Sequence, residues 1–176
     1  EQVALGAGRC DLFLYGLDPQ LASELGASAV LVVRTFVQLV FLNGERPWND
    51  RWQREWAAML HSDVRSQFDG RFVLEASTTK APLKRIHVVF EPRYRVTPGE
   101  APRAPHLELT VTTDKRALEL EAGTLRCGLS SPMDAVARAI FGVTTPRTPE
   151  TKTLDGVVEW LSDATGTAYE AFEVSE

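Results

Sequence analysis

From Val30 to Leu42 the chain is β-branched and apolar, interrupted mainly by Arg34, Thr35 and Gln38. Period-two alternation puts Leu31, Val33, Thr35, Val37, Leu39 and Phe41 on one face, and Val32, Arg34, Phe36, Gln38, Val40 and Leu42 on the other. One dry face and one mixed face predict a central strand. Ahead of it, Cys10 to Leu17 reads as a short strand. A brief helix follows, with Asp18 as N-cap, Pro19 at its first position and Gly26 beyond its end.

Trp48, Trp52, Trp56, Leu60, Val64 and Phe68 then recur every four residues, with Met59 alongside. This predicts a long helix, with Asp50 and Gln53 as a capping pair and Gly70 as its C-terminal stop. Each four-residue step overshoots a helical turn by about 40°, so the stripe winds and suits a twisted sheet. A tryptophan ladder also invites a carbohydrate- or cofactor-stacking role, but the helical spacing favours Trp52 and Trp56 as core.

From Arg71 onward the pattern is β. Setting Ile86, Val88 and Phe90 opposite Val111, Leu109 and Leu107 places all six side chains on one face of an antiparallel pair. Turns at Asp114-Lys115 and Ala122-Gly123 extend this to a four-stranded meander, in which Val111 faces Leu118, Leu109 faces Leu120, Leu120 faces Leu125 and Leu118 faces Cys127. Ser131, Pro132 and Asp134 start a helix striped by Met133, Val136, Ala137, Ile140 and Phe141 and ended by Gly142. A last helix is expected from Leu154 to about Ala164. The expected class is α+β: a mostly antiparallel sheet, a long Trp-rich helix packed on one face, and two C-terminal helices. Residues 1–166 read as a single domain and 167–176 as an acidic, loosely held tail.

The 176 residues, 44% hydrophobic, are enough for one domain with a sizeable core. The net charge of −5 argues against a protein that binds nucleic acid through bulk electrostatics. The acidity is C-terminal, where Glu150, Asp155, Glu159, Asp163, Glu170, Glu173 and Glu176 stand against Lys152. No apolar stretch reaches the roughly 20 residues of a membrane-spanning helix, so no span is expected. The preponderance of arginine over lysine resembles the codon bias of a GC-rich bacterial genome. The opening Glu1 suggests a trimmed N-terminus, which leaves localisation open between the bacterial cytoplasm and secretion. Cys10 and Cys127 are too few for a disulfide framework and read as buried free thiols, with a disulfide between them as the alternative.

Candidate chemistry is sparse. There is no P-loop, no G-x-S-x-G and no HExxH, and Gly6-Ala7-Gly8 is too short for a dinucleotide fingerprint, so no cofactor is expected. His61, His87 and His106 are dispersed, with His87 and His106 roughly 13 Å apart in the meander, and no metal is expected. The polar face of the meander would carry Glu91, His106, Glu108, Glu119, Glu121 and Arg126. Glu108 opposite Glu121 could raise one carboxyl pKa, which makes Glu108, Glu121 and His106 the acid/base candidates if the protein is an enzyme. Glu91 would face His106. The competing reading is a solvated face with an Arg126–Glu119 ion pair. Lys80, Lys84, Arg85, Arg93, Arg95 and Arg103 could meet an anion or form a solvated surface. For a protein partner, the natural anchors are Trp160, Tyr169 and Phe172, because aromatics dominate interface energetics.

The Trp-rich helix ending in Phe68-Asp69-Gly70-Arg71-Phe72, followed by Arg85-Ile86-His87-Val88-Val89-Phe90 and Pro105-His106-Leu107-Glu108-Leu109-Thr110-Val111, resembles the scaffold of bacterial zincin-like metallopeptidase domains. The resemblance spans about residues 30 to 142 and includes toxin-associated members of that family. Where the family carries HExxH, this chain reads Ala135-Val136-Ala137-Arg138-Ala139-Ile140-Phe141-Gly142, so no catalytic residue carries over. The resemblance implies a metal-free, non-peptidase relative.

The expected function is therefore a non-enzymatic protein-binding or assembly module of a bacterial secretion or toxin-related system, with its oligomeric state open. Its rivals are a carboxylate-dependent hydrolase or transferase and a small-ligand-binding domain. The last would show a cavity of roughly 300 Å³ or more between the Trp helix and the sheet.

Overall fold

The computed structural model describes residues 2–5, 8–96, 104–143 and 150–174. Strands β1 (Gln2–Leu5) and β2 (Gly8–Gly16) pair antiparallel. Helix α1 (Pro19–Leu25) begins as its sequence predicts: Asp18 Oδ1 accepts from the amides of Gln20 and Leu21 at 3.0 Å each, and Gly26 ends the helix at φ 61°. The strand predicted to be central follows as β3 (Ala29–Leu42), then α2 (Asp50–Phe68), β4 (Phe72–Ala76), β5 (Arg85–Arg95) and β6 (Leu107–Thr112). The chain continues through β7 (Glu119–Glu121), β8 (Thr124–Gly128) and α3 (Met133–Ile140), and, after a 3-10 turn at Thr151–Leu154, through α4 (Asp155–Thr165) and β9 (Tyr169–Glu173).

The nine strands among the described residues join one sheet, in the order β7-β8-β6-β3-β5-β4-β9, with β2 also on β3 and β1 outside β2. The long β3 organises it. One flank pairs in parallel with β5 from Ala29 to Gln38. The other is shared: β2 runs antiparallel along Ala29 to Arg34, and β6 runs parallel along Val37 to Leu42.

The class is α+β, but the sheet is mixed rather than mostly antiparallel. The expected pairing of β5 with β6 does not form, because β3 lies between them. Ile86, Val88 and Phe90 stand beside Ala29, Leu31 and Val33, while Leu107, Leu109 and Val111 stand beside Val37, Leu39 and Phe41. Alternation assigns faces and not neighbours, so those six side chains share the apolar face in either arrangement. A length of fourteen residues lets β3 serve both strands, and the connection through α2 covers the face they share. The β7–β8 hairpin does form in the expected register, with Leu120 opposite Leu125 and Gly123 at φ 75°.

Helix α2 lays Trp56, Leu60, Val64 and Phe68 into the core. Phe68 meets Phe141 and Phe90 at centroid distances of 4.5 and 5.2 Å. Its N-cap is Asn49, one residue before the expected Asp50, with Oδ1 accepting from the Trp52 amide at 2.8 Å. Trp52 is half-buried rather than core, and its ring lies edge-on to Trp48 at 5.8 Å. The winding stripe explains this: the drift that keeps Trp56 to Phe68 inward rotates the earlier tryptophans towards the rim.

The segment expected to be loose is built into the sheet as far as it is described. β9 pairs antiparallel with β4, placing Phe172 opposite Val73 and Ala171 opposite Leu74, and the Val174 amide donates to Arg71 O at 2.8 Å. Tyr169 is buried and its hydroxyl donates to Leu83 O at 2.8 Å. Exposed Glu170 and Glu173 remain in water, where screening weakens the repulsion that favoured a loose tail. Residues 175 and 176 lie outside the described residues.

Cys10 in β2 and Cys127 in β8 are free and buried. Burial pushes both thiols up to about 12, assisted at Cys10 by the Asp11 charge. A depleted thiolate means slow attack on disulfide reagents. Folded protein mixed with Ellman's reagent at pH 8 should release almost no chromophore over minutes in which the unfolded chain releases two equivalents, one per cysteine. Equal rates from both states would contradict the burial.

Candidate functional site

The mixed face of β3 gathers polar groups across three strands. In register, Asp11 of β2 stands opposite Arg34, and Arg34, Phe36 and Gln38 stand opposite Glu91, Arg93 and Arg95 of β5. The Glu91 carboxylate accepts from Arg34 Nε and Arg93 Nη2, each at 2.6 Å. Burial opposes its ionisation, but the two guanidinium hydrogen bonds prevail and hold its carboxyl below the usual range. The Arg34 guanidinium also lies over the Phe13 ring, 4.6 Å from its centroid. Gln38 Oε1 accepts from Arg95 Nε at 2.7 Å, and its Nε2 donates to the Arg95 and Leu39 carbonyls at 2.9 and 3.1 Å.

Sharing a flank of β3 leaves a break. The β2 ladder ends at Asp11 and Arg34, and the β6 ladder starts at Leu107 and Val37. His106 closes the gap. Its amide donates to Phe36 O at 2.9 Å, and its Nδ1 accepts from the Phe36 amide at 3.0 Å. An accepting Nδ1 puts the ring proton on Nε2, which stands 3.6 Å from Asp11 Oδ1; the two side chains are 2% and 5% exposed. Nδ1 is taken up by the Phe36 amide and Nε2 is buried against Asp11, so His106 fastens strands together and does not present a free base. Gly8 is required nearby, because a Cβ there would lie 2.8 Å from His106 O.

Beside this junction is a cavity of about 580 Å³. Phe13, Phe36 and Pro105 supply carbon walls, Asp11, Arg34, Gln38, Arg93 and Arg95 supply polar groups, and Val37 and Tyr94, whose side chains alternate to the other face, border it. Arg95 and Pro105 are close to the two ends of the β5–β6 connection, whose residues 97–103 lie outside the described set.

The expected acid/base group does not converge. Glu108 and Glu121 both stand opposite Thr124, so β8 separates them by two strand spacings, roughly 10 Å. They cannot share a proton. His106 faces Asp11, and Glu91 faces Arg34. Glu119 pairs with Arg116 at 3.0 Å although Arg126 stands opposite it in the ladder.

The three partner anchors do not make one patch either. Tyr169 and Phe172 are three residues apart on a strand and point to opposite faces. Tyr169 is buried, Phe172 is 43% exposed, and Trp160 packs partly buried against the core. The cation cluster is also divided, since Arg85 and Arg95 end a strand roughly 33 Å long and Arg103 lies outside the described residues.

The histidines stay apart for a different reason than the meander suggested. His87 stands opposite Val30, with Nε2 3.0 Å from Leu25 O, whereas His106 sits at Phe36, six residues or roughly 20 Å further along β3. His61 on α2 lies edge-on to Tyr94 at 5.9 Å. Among the described residues, no three His, Cys, Asp or Glu side chains cluster as metal ligands. No described helix is long and apolar enough to cross a membrane.

The sequence reading did not connect Asp11, Arg34 and Gln38 as a site. The available signal was their position: each interrupts an apolar strand, and Arg34 and Gln38 share a face. Compared with known proteins, the chain matches no family model, no curated protein and no solved structure.

Proposed function

We propose that the protein is a small-ligand-binding domain whose ligand occupies the cavity on the sheet face opposite α2. The observation that carries this reading is the cavity itself: about 580 Å³, with aromatic and aliphatic walls and a few fixed polar groups. Small-molecule sites share that size and composition. The face differs from the one expected, since the space between the Trp helix and the sheet is filled by Phe68, Phe90 and Phe141. The buried ring of His106 and the separation of Glu108 from Glu121 favour binding over acid/base catalysis.

The neutral dye N-phenyl-1-naphthylamine, which brightens in apolar cavities, tests this directly. One dye per chain should bind, and Phe13→Trp, which fills the cavity, should weaken binding severalfold. Binding insensitive to Phe13→Trp but lost in Met59→Ser would move the ligand to α2 and overturn the reading.

A second reading keeps the protein as a protein-binding or assembly module. It is favoured by a groove of about 390 Å³ that includes Trp48, Trp52, Met59 and Leu129, with Met59 and Leu129 55% and 45% exposed. Exposed apolar patches of this kind mark contact surfaces.

A further inference from the structure

We infer that the cavity takes an amphipathic organic monoanion, a carboxylate on an aromatic or aliphatic body, with its acid group on Arg95. This rests on the ligand-binding reading above and specifies its chemistry.

The cavity is lined by three guanidiniums, and they are not equivalent. Arg34 and Arg93 are both hydrogen-bonded to Glu91, so each already has an anionic partner. Arg95 has only neutral partners among the described residues: its Nε is held by Gln38 Oε1, and the same amide reaches back to the Arg95 and Leu39 carbonyls. That bracing fixes the guanidinium while leaving its two Nη groups without a protein acceptor among the described residues. A braced guanidinium with two unused donors matches the planar, bidentate geometry of a carboxylate.

The charge on the remaining wall limits the ligand to about one negative charge. Asp11 lines the same cavity, and Glu91 stands behind Arg34. A dianionic phosphate would gain one braced cation but face both carboxylates, whereas a monocarboxylate matches the excess, among the described residues, of three guanidiniums over two carboxylates. Opposite the polar end, Phe13, Phe36 and Pro105 offer carbon surface to a body that water would otherwise have to solvate. A charged head on one braced arginine and an apolar tail on aromatic walls describe a single ligand class.

The probe is 11-(dansylamino)undecanoic acid, compared with its methyl ester and with the phosphonate analogue, by fluorescence titration of the full chain. The acid should bind more tightly than ester or phosphonate, and the loss of charge-assisted hydrogen bonds predicts roughly ten- to hundredfold weakening in Arg95→Gln. Arg95→Lys, which keeps the charge and loses the fork, should fall between the two, and ester binding should weaken far less than acid binding in both variants. Circular dichroism confirms that each variant is folded. If acid and ester bind equally and Arg95→Gln leaves both intact while Phe13→Trp weakens both, the carboxylate assignment fails and the cavity reading stands. If Phe13→Trp affects neither ligand, the cavity reading fails as well. Tightest binding of the phosphonate would overturn the limit of one charge.

Discussion

Phe68→Ala is expected to destabilise the protein by about 3–5 kcal/mol, the range for deleting a buried aromatic ring. Phe68 is fully buried at the last turn of α2, where it touches Phe90 of β5 and Phe141 beyond α3. Removing the ring opens a cavity at the meeting point of three elements, none of which can move inward without losing its own contacts. Met59→Ala on the same helix is the internal comparison. Met59 is 55% exposed, so its loss should cost no more than about 0.5 kcal/mol. Urea unfolding of both variants checks the pair, and a Phe68→Ala midpoint indistinguishable from Met59→Ala would show that α2 does not pack as described.

His106→Leu should have the next largest effect, about 2–4 kcal/mol, through the Phe36 amide left without its acceptor and the loss of the buried contact with Asp11. Leucine approximates the volume of the ring but accepts nothing from the Phe36 amide, and it offers Asp11 no donor where Nε2 stood. The double variant Asp11→Leu with His106→Leu should recover part of the loss, because two apolar side chains then face each other. A double variant whose cost equals the sum of the singles would show that the two side chains do not act as a unit. The substitution also reaches the cavity, since Pro105 lines it and is held next to His106.

Much of the local structure was legible in the sequence because it depends on neighbours within a few residues. Asp18, Pro19 and Gly26 bound α1 through capping geometry that involves no other element. The parity of β3 sorted Val33 and Val37 from Arg34 and Phe36, and the Ala122-Gly123 turn set the β7–β8 register. The sheet order was not legible. Ile86, Val88 and Phe90 offer the same apolar face to Leu107, Leu109 and Val111 as to β3, and only the competition between partners decides. The pairing of Tyr169–Glu173 was not legible for a related reason: the charges of Glu170 and Glu173 are visible in sequence, whereas the open edge of β4 that receives the strand is not.

The site followed the same division. Arg34 and Gln38 were legible as polar interruptions on one face of an apolar strand, and Arg93 and Arg95 as part of a basic cluster. What joins them is the parallel register of β3 with β5, which sets Phe36 against Arg93 and Gln38 against Arg95 across more than fifty residues of chain. Glu108 and Glu121 failed as a pair because the same long-range choices inserted β8 between them.

If a ligand enters the sheet face opposite α2, backbone amide shifts during titration with decanoic acid will locate it there. The ¹⁵N–¹H spectrum should change most at Phe13, Arg34, Phe36, Gln38 and Arg95, saturating together at one ligand per chain, while Trp52, Met59 and Leu129 stay in place. Shifts confined to Trp52, Met59 and Leu129, or a spectrum that decanoic acid leaves unchanged, would contradict the account.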